Sequence, residues 1–162
     1  HITYQSAVIY QKEIEAELQK VENSLSPFNK TSIISRINRN EDVKVDNMFA
    51  EVFQLAEKIS KETDGAFDIT VAPMVNAWGF GFKTGNPPTQ QTVDSLRAIV
   101  GFQKVTLKEE HVKKQNPHIM LDCSAIAKGY GSDIVARFLK KKGIQNIMVE
   151  IGGEIVVNVN SD

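Results

Sequence analysis

Along the first quarter of the chain the apolar positions Ile14, Leu18, Val21 and Leu25 recur at helical spacing, with Glu, Lys and Gln between them. The pattern predicts a helix within residues 6–25, ended by Ser26-Pro27 because the residue before proline is pushed out of the helical region. Thr31 is the candidate cap of a short helical turn carrying Ile33, Ile34 and Ile37. Asp46 is the candidate cap of a longer helix bearing Phe49, Val52, Phe53, Ala56 and Ile59, which Asp64-Gly65 would stop. Next, AFDIT (66–70) has the composition of a brief strand, and Pro73 suits the first turn of a segment running to Trp78-Gly79-Phe80-Gly81. The stretch GFKTGNPP (81–88) is a loop. Thr89 caps a helix with Val93, Leu96, Ile99 and Val100, closed by Gly101, and strand-like KVTLK and HIML follow around a polar turn.

The last third contains a second amphipathic helix after Gly129, with Tyr130, Ile134, Val135, Phe138 and Leu139 on one face. It ends in Lys140-Lys141-Lys142-Gly143, cations and a glycine that both suit a helix C-terminus. IQNIMVEI and EIVVNV flank Gly152-Gly153, the signature of a β-hairpin. Helices and strands alternate without a strict βαβ rhythm, and no repeat, low-complexity tract or linker divides the chain. The expectation is one α+β domain over 1–162, with a mixed or antiparallel sheet packed against helices.

Composition narrows the partners more than the chemistry. A net charge of −1 over 162 residues gives no field to attract nucleic acid or an anionic membrane, and 41% apolar with 24% charged residues is ordinary for a globular protein. The single Cys123 excludes an internal disulfide and is silent on compartment. The opening HITYQ has neither initiator Met nor signal-peptide character, so any export signal is expected to have been removed. No P-loop and no G-x-G-x-x-G pattern occurs, and His1, His111 and His118 lack ligand spacing.

Three clusters remain in which glycine, small residues and acids gather at element ends. In GAFDITVAP (65–73), continued by WGFG (78–81), Asp68 and Thr70 are either local caps or part of a main-chain-rich wall for a flat ligand. In LDCSAIAKGYGSDIVARFL (121–139), Ser124 is a candidate helix cap, and small residues would let a ligand approach the backbone at an anion-favouring helix start. Asp122 could bond a ribose or an amine and Lys128 a pyrophosphate or a base, or else the acid is held by main-chain amides and the lysine is solvated. Cys123 reads as a small core residue. VEIGGE (149–154) is explained by a turn alone.

In combination, LSPFNKTSIISRIN (25–38), GAFDITVAPMVNAWGFG (65–81), LDCSAIAKGYGSDIVARFL (121–139) and GIQNIMVEIGGEI (143–155) resemble the ApbE family, in the family's order and across essentially the whole chain. The resemblance implies a T-fold-like flavin-binding domain that is a portion of a longer family domain. The implied activity is Mg²⁺-dependent transfer of FMN from FAD to a Ser or Thr hydroxyl of an acceptor protein, with release of AMP. The alternatives are an FAD pyrophosphatase, giving FMN and AMP, and a non-catalytic FAD-binding module. It further implies flavin contacts from Phe28, Ala66, Phe67 and Asp68, other FAD contacts from Asp122 and Lys128, and a main-chain carbonyl of Ala125 on the cation. Phe28 stands where members commonly carry Tyr, and Lys128 where some carry Glu. An acid and a Thr that complete the metal site, together with the catalytic residues, are expected downstream of Asp162. Family habit also implies an extracytoplasmic site and a lipid-anchored parent.

Overall fold

The computed structural model describes residues 1–77 and 88–159. In chain order these form β1 (Ile2–Tyr4), α1 (Gln11–Leu25), α2 (Ile33–Asn38), α3 (Asn47–Glu62), α4 (Ala72–Ala77) and α5 (Gln90–Arg97). A 3₁₀ turn at Phe102–Lys104 leads to β2 (Val105–Lys108) and β3 (His111–Lys114), followed by α6 (Ser124–Lys141), β4 (Ile147–Ile151) and β5 (Glu154–Asn158). The architecture is α+β. One antiparallel sheet has the order β1-β4-β5, and β2 and β3 form a separate antiparallel pair.

The helix stripes find their partners as the periodicity predicts. From α3, Phe49, Val52, Phe53 and Ala56 enter a core with Leu25, Ile34, Ile37, Ile119, Leu121 and Tyr130. A second cluster joins Ile14 of α1 to Val135, Ala136 and Leu139 of α6 and to Ile147 and Val149 of the sheet. Asp46 caps α3 through its carboxylate, which accepts from Phe49 N at 2.8 Å, and Thr89 caps α5 by accepting from Thr92 N at 3.2 Å. Asp64 and Gly65 both take left-handed backbone beyond α3, with φ of 52° and 79°.

Several expectations are corrected. The first helix begins at Gln11 rather than near Ser6, because residues 2–4 form β1 and Ser6 Oγ turns the chain by accepting from Val8 N at 3.1 Å. Ser32, not Thr31, caps α2: its Oγ accepts from Ser35 N at 3.2 Å, while Thr31 donates to the Asn29 side chain. AFDIT is not a strand, since Asp68 takes the Thr70 amide and bends the chain. The partner of KVTLK is HVKK of β3 rather than HIML, and HIML pairs with no strand because side chains take up its main-chain groups.

The hairpin is as expected. Gly152 and Gly153 have φ of 58° and 93°, the double left-handed turn that matches sheet twist. Gly152 is also crowded, since a Cβ there would lie 2.9 Å from Lys128 Cδ. On the sheet's outer side Ile155 and Val157 of β5 are exposed, as is Met148 opposite Val157.

Candidate flavin-nucleotide cleft

The loop after α3 is organised by one carboxylate. Asp68 Oδ1 accepts from Thr70 N at 2.8 Å and from Thr70 Oγ1 at 2.7 Å, and Oδ2 accepts from Phe102 N at 2.8 Å. Thr70, fully buried, passes the arrangement on by accepting from Gly101 N at 2.7 Å. A half-buried acid thus satisfies the amides of a loop that has no ladder. Ala66 and Phe67 lie on its outer side, Ala66 exposed and Phe67 half-buried.

The second wall is the start of α6. The helix begins at Ser124, five residues before the predicted Gly129, and Ser124 does not cap it. The N-cap is Cys123, whose side chain makes no capping bond, while the preceding Asp122 Oδ1 accepts from the first helical amide, Ser124 N, at 2.8 Å, and Cys123 O accepts from Ile126 N and Ala127 N. The small residues Ala125 and Ala127 therefore occupy the first helical turns, which alanine favours, rather than a bend. Asp122 N donates to Ile69 O at 2.8 Å, joining the two walls. Cys123 is sealed behind them, 1% exposed, and burial pushes its thiol up to about 12, so it is packing rather than a nucleophile.

Between the walls, roofed by Ala72, Val75 and Asn76 of α4, lies a cleft of ≈ 380 Å³. Ala66, Phe67, Asp68, Asp122 and Ala125 all line it, so five of the seven candidate residues meet in one place. That size suits part of a cofactor. Phe28 and Lys128 do not line it. Phe28 stands 92% exposed on the loop after α1, and Lys128 lies with its stem against Gly152 of the hairpin. Ala125 is exposed at the cleft, in the second position of α6. The WGFG stretch falls outside the described residues.

Sequence reasoning missed the residues that hold these walls from behind. Thr70 was placed in the wall or as a local cap without its bond from Gly101 N, and α4 was considered only as a connecting segment. Asn38, quoted only as the last residue of the 25–38 stretch, was given no role, yet its amide bonds Leu121 on both main-chain sides. Among the described residues no group of three or more His, Cys, Asp or Glu could hold a metal.

The cleft of this α+β domain is lined by a hydrogen-bonded loop and the small-residue start of a helix, a concave site of the size that holds small ligands. The chain belongs to the ApbE family, whose model matches residues 1–161. It is 39% identical over 150 residues to the FAD:protein FMN transferase of Vibrio cholerae and 42% identical over 154 residues to that of Haemophilus influenzae, covering 90% and 89% of this chain. Among solved structures, the flavin transferase ApbE from Vibrio cholerae superposes with a TM-score of 0.87 at 38% identity over 97% of this chain. The apo form of the Pseudomonas stutzeri flavinyl transferase ApbE does so with 0.87 at 29% identity over 96%. The chain spans about half the length of these relatives, 45% and 44% of the two sequences and 54% and 56% of the two structures.

Proposed function

We propose that the protein transfers FMN from FAD to a Ser or Thr hydroxyl of an acceptor protein. The observation that carries this reading is the convergence of Ala66–Asp68 and Asp122–Ala125 on one cleft in a chain of the ApbE family. In the reaction the acceptor oxygen bonds to the phosphorus on the FMN side of the diphosphate, the bridging P–O bond breaks, and AMP leaves with the bridging oxygen. The hydroxyl proton goes to a base that this chain does not identify.

The residues present divide the labour by position. The main chain at 66–68 forms a wall against the isoalloxazine, with Asp68 holding that wall in shape. Phe28, unpacked on its loop, has a ring face free to stack on the flavin. Asp122 faces the cleft beside the first turn of α6, where helix amides favour phosphate, whereas Lys128, one turn further and lying against Gly152, stands outside the cleft and takes no part in this division.

Mg²⁺ would offset charge on the diphosphate and orient it. Ala125 lines the cleft, and its carbonyl would be a hard oxygen ligand through a second lone pair even if the first accepts a helical bond. One carbonyl and the neighbouring Asp122 would hold the ion only together with phosphate oxygens of the ligand, waters or further protein groups, as no cluster of three or more His, Cys, Asp or Glu occurs among the described residues. An extracytoplasmic, lipid-anchored setting belongs to the same proposal; among the described residues no helix is long and apolar enough to cross a membrane.

The test is incubation of the full-length protein with FAD, Mg²⁺ and a peptide bearing an acceptor Ser or Thr. Transfer gives a peptide heavier by FMN, with AMP in equal amount. Free FMN and AMP with an unmodified peptide would make it a pyrophosphatase, and bound FAD with no AMP would leave only a binding module.

A further inference from the structure

Asn38, the last residue of α2, holds the main chain of a residue 83 positions away. Its Nδ2 donates to Leu121 O at 2.9 Å and its Oδ1 accepts from Leu121 N at 2.8 Å. One amide side chain thereby gives residue 121 both bonds that a neighbouring strand would give. The segment on either side is fixed in turn: Lys114 Nζ donates to Ile37 O and to Ile119 O, each at 3.0 Å, and Asp122 N donates to Ile69 O. Leu121 is the last residue before the acid that faces the cleft and accepts from the first amide of α6.

We propose that Asn38 is a positioning residue for the diphosphate end of the cleft. It touches no ligand. By fixing residue 121 it sets where Asp122 and the first turn of α6 stand relative to the 66–68 wall. The side-chain chemistry is specific, because a carboxamide offers a donor and an acceptor side by side in one planar group at any ordinary pH. Aspartate at this position would set a carboxylate against the Leu121 carbonyl, and alanine would leave a main-chain N–H and C=O unpaired. The inference rests on the proposed FAD-binding role of the cleft and concerns only the phosphate-facing part.

The experiment compares FAD with riboflavin, which has the same ring system and no phosphates, as ligands of the full-length wild type, Asn38→Ala, Asn38→Asp and Lys114→Met, using flavin fluorescence. The expected result is a loss of roughly tenfold in FAD affinity for Asn38→Ala and more for Asn38→Asp, with riboflavin affinity within about twofold of wild type. Lys114→Met, which frees the 119 end without releasing residue 121, should lower thermal stability and keep the FAD-to-riboflavin ratio. Parallel loss of both ligands in the Asn38 variants, or loss of neither, overturns the inference. Should Asn38→Ala not fold, Asn38→Asp keeps the bond from Leu121 N and loses only the one to Leu121 O, and an unchanged ligand ratio in that variant overturns it equally. Wild type that binds no FAD strikes the functional reading itself, a result distinct from any of these.

Discussion

Replacing Asp68 by Asn isolates the energetic role of the carboxylate from its shape. The carboxylate accepts three hydrogen bonds, two on Oδ1 from Thr70 and one on Oδ2 from Phe102 N, at 2.7 to 2.8 Å. An amide has one acceptor oxygen. If that oxygen stays with Thr70, the NH₂ group faces the Phe102 N–H, donor against donor; if it turns to Phe102, both Thr70 donors lose their acceptor. Each orientation breaks at least one charge-assisted bond, worth about 1.5–3 kcal/mol. Since the site is half-buried and water can partly replace the acceptor, about 2 kcal/mol is expected. For a chain of this length that corresponds to a fall in Tm of roughly 4–8 °C. Urea unfolding followed by circular dichroism measures it directly. Thr70→Val supplies the control, because its hydroxyl both donates to Asp68 and accepts from Gly101 N. The double variant should cost less than the two single changes together, as members of one network do not add. An Asp68→Asn protein within about 0.5 kcal/mol of wild type, or strictly additive losses, would refute the view that this carboxylate organises the loop.

Ser60 Oγ is fully buried and has no hydrogen-bond partner among the described residues, so Ser60→Ala should raise the urea midpoint by an amount equivalent to about 1 kcal/mol. Cys123, with its thiol raised to about 12 by burial, should react with a disulfide reagent only as fast as the chain unfolds. Its sign in pH is also fixed: the unfolded thiol ionises near its ordinary value while the folded one does not, so its contribution is full below about pH 9 and is lost as pH rises toward 12. Urea midpoints measured in Cys123→Ala should fall less steeply over that range. Gly152→Ala should destabilise by about 1 kcal/mol, chiefly through its φ of 58°, because the crowding atom is the movable stem of Lys128. Lys128→Ala in the same chain should therefore fail to rescue it in thermal unfolding.

The helices were legible because each carries its own evidence. A stripe of apolar residues, an Asp46 or Thr89 cap and a closing Gly are local; α3 lies where these signals stand, while α5 starts after Thr89 as expected but ends at Arg97, so that Ile99, Val100 and the expected closing Gly101 fall beyond it. The hairpin was legible for the same reason. What failed depends on partners distant in the chain. Residues 2–4 become a strand only because Ile147–Val149 lies beside them, and HIML has the composition of a strand while Asn38 and Lys114 take its hydrogen bonds. AFDIT is β-prone in composition, and the acid in its centre overrides that by turning back onto Thr70. For the cleft, small residues and acids at element ends marked Ala66–Asp68 and Asp122–Ala125. The 25–38 stretch contains the amide that fixes Leu121 but not its partner, since an asparagine ending a helix looks the same whether it meets solvent or a strand-like segment.

The outer strand of the hairpin has a practical consequence for anyone concentrating this molecule. Among the described residues β5 pairs only with β4, and its outer edge beside exposed Ile155 and Val157 is a template on which a like chain can zip. Because neighbouring side chains in a strand point to opposite faces, a lysine at position 157 would place a gatekeeping charge on that rim and leave the Val149–Val156 pair facing inward untouched.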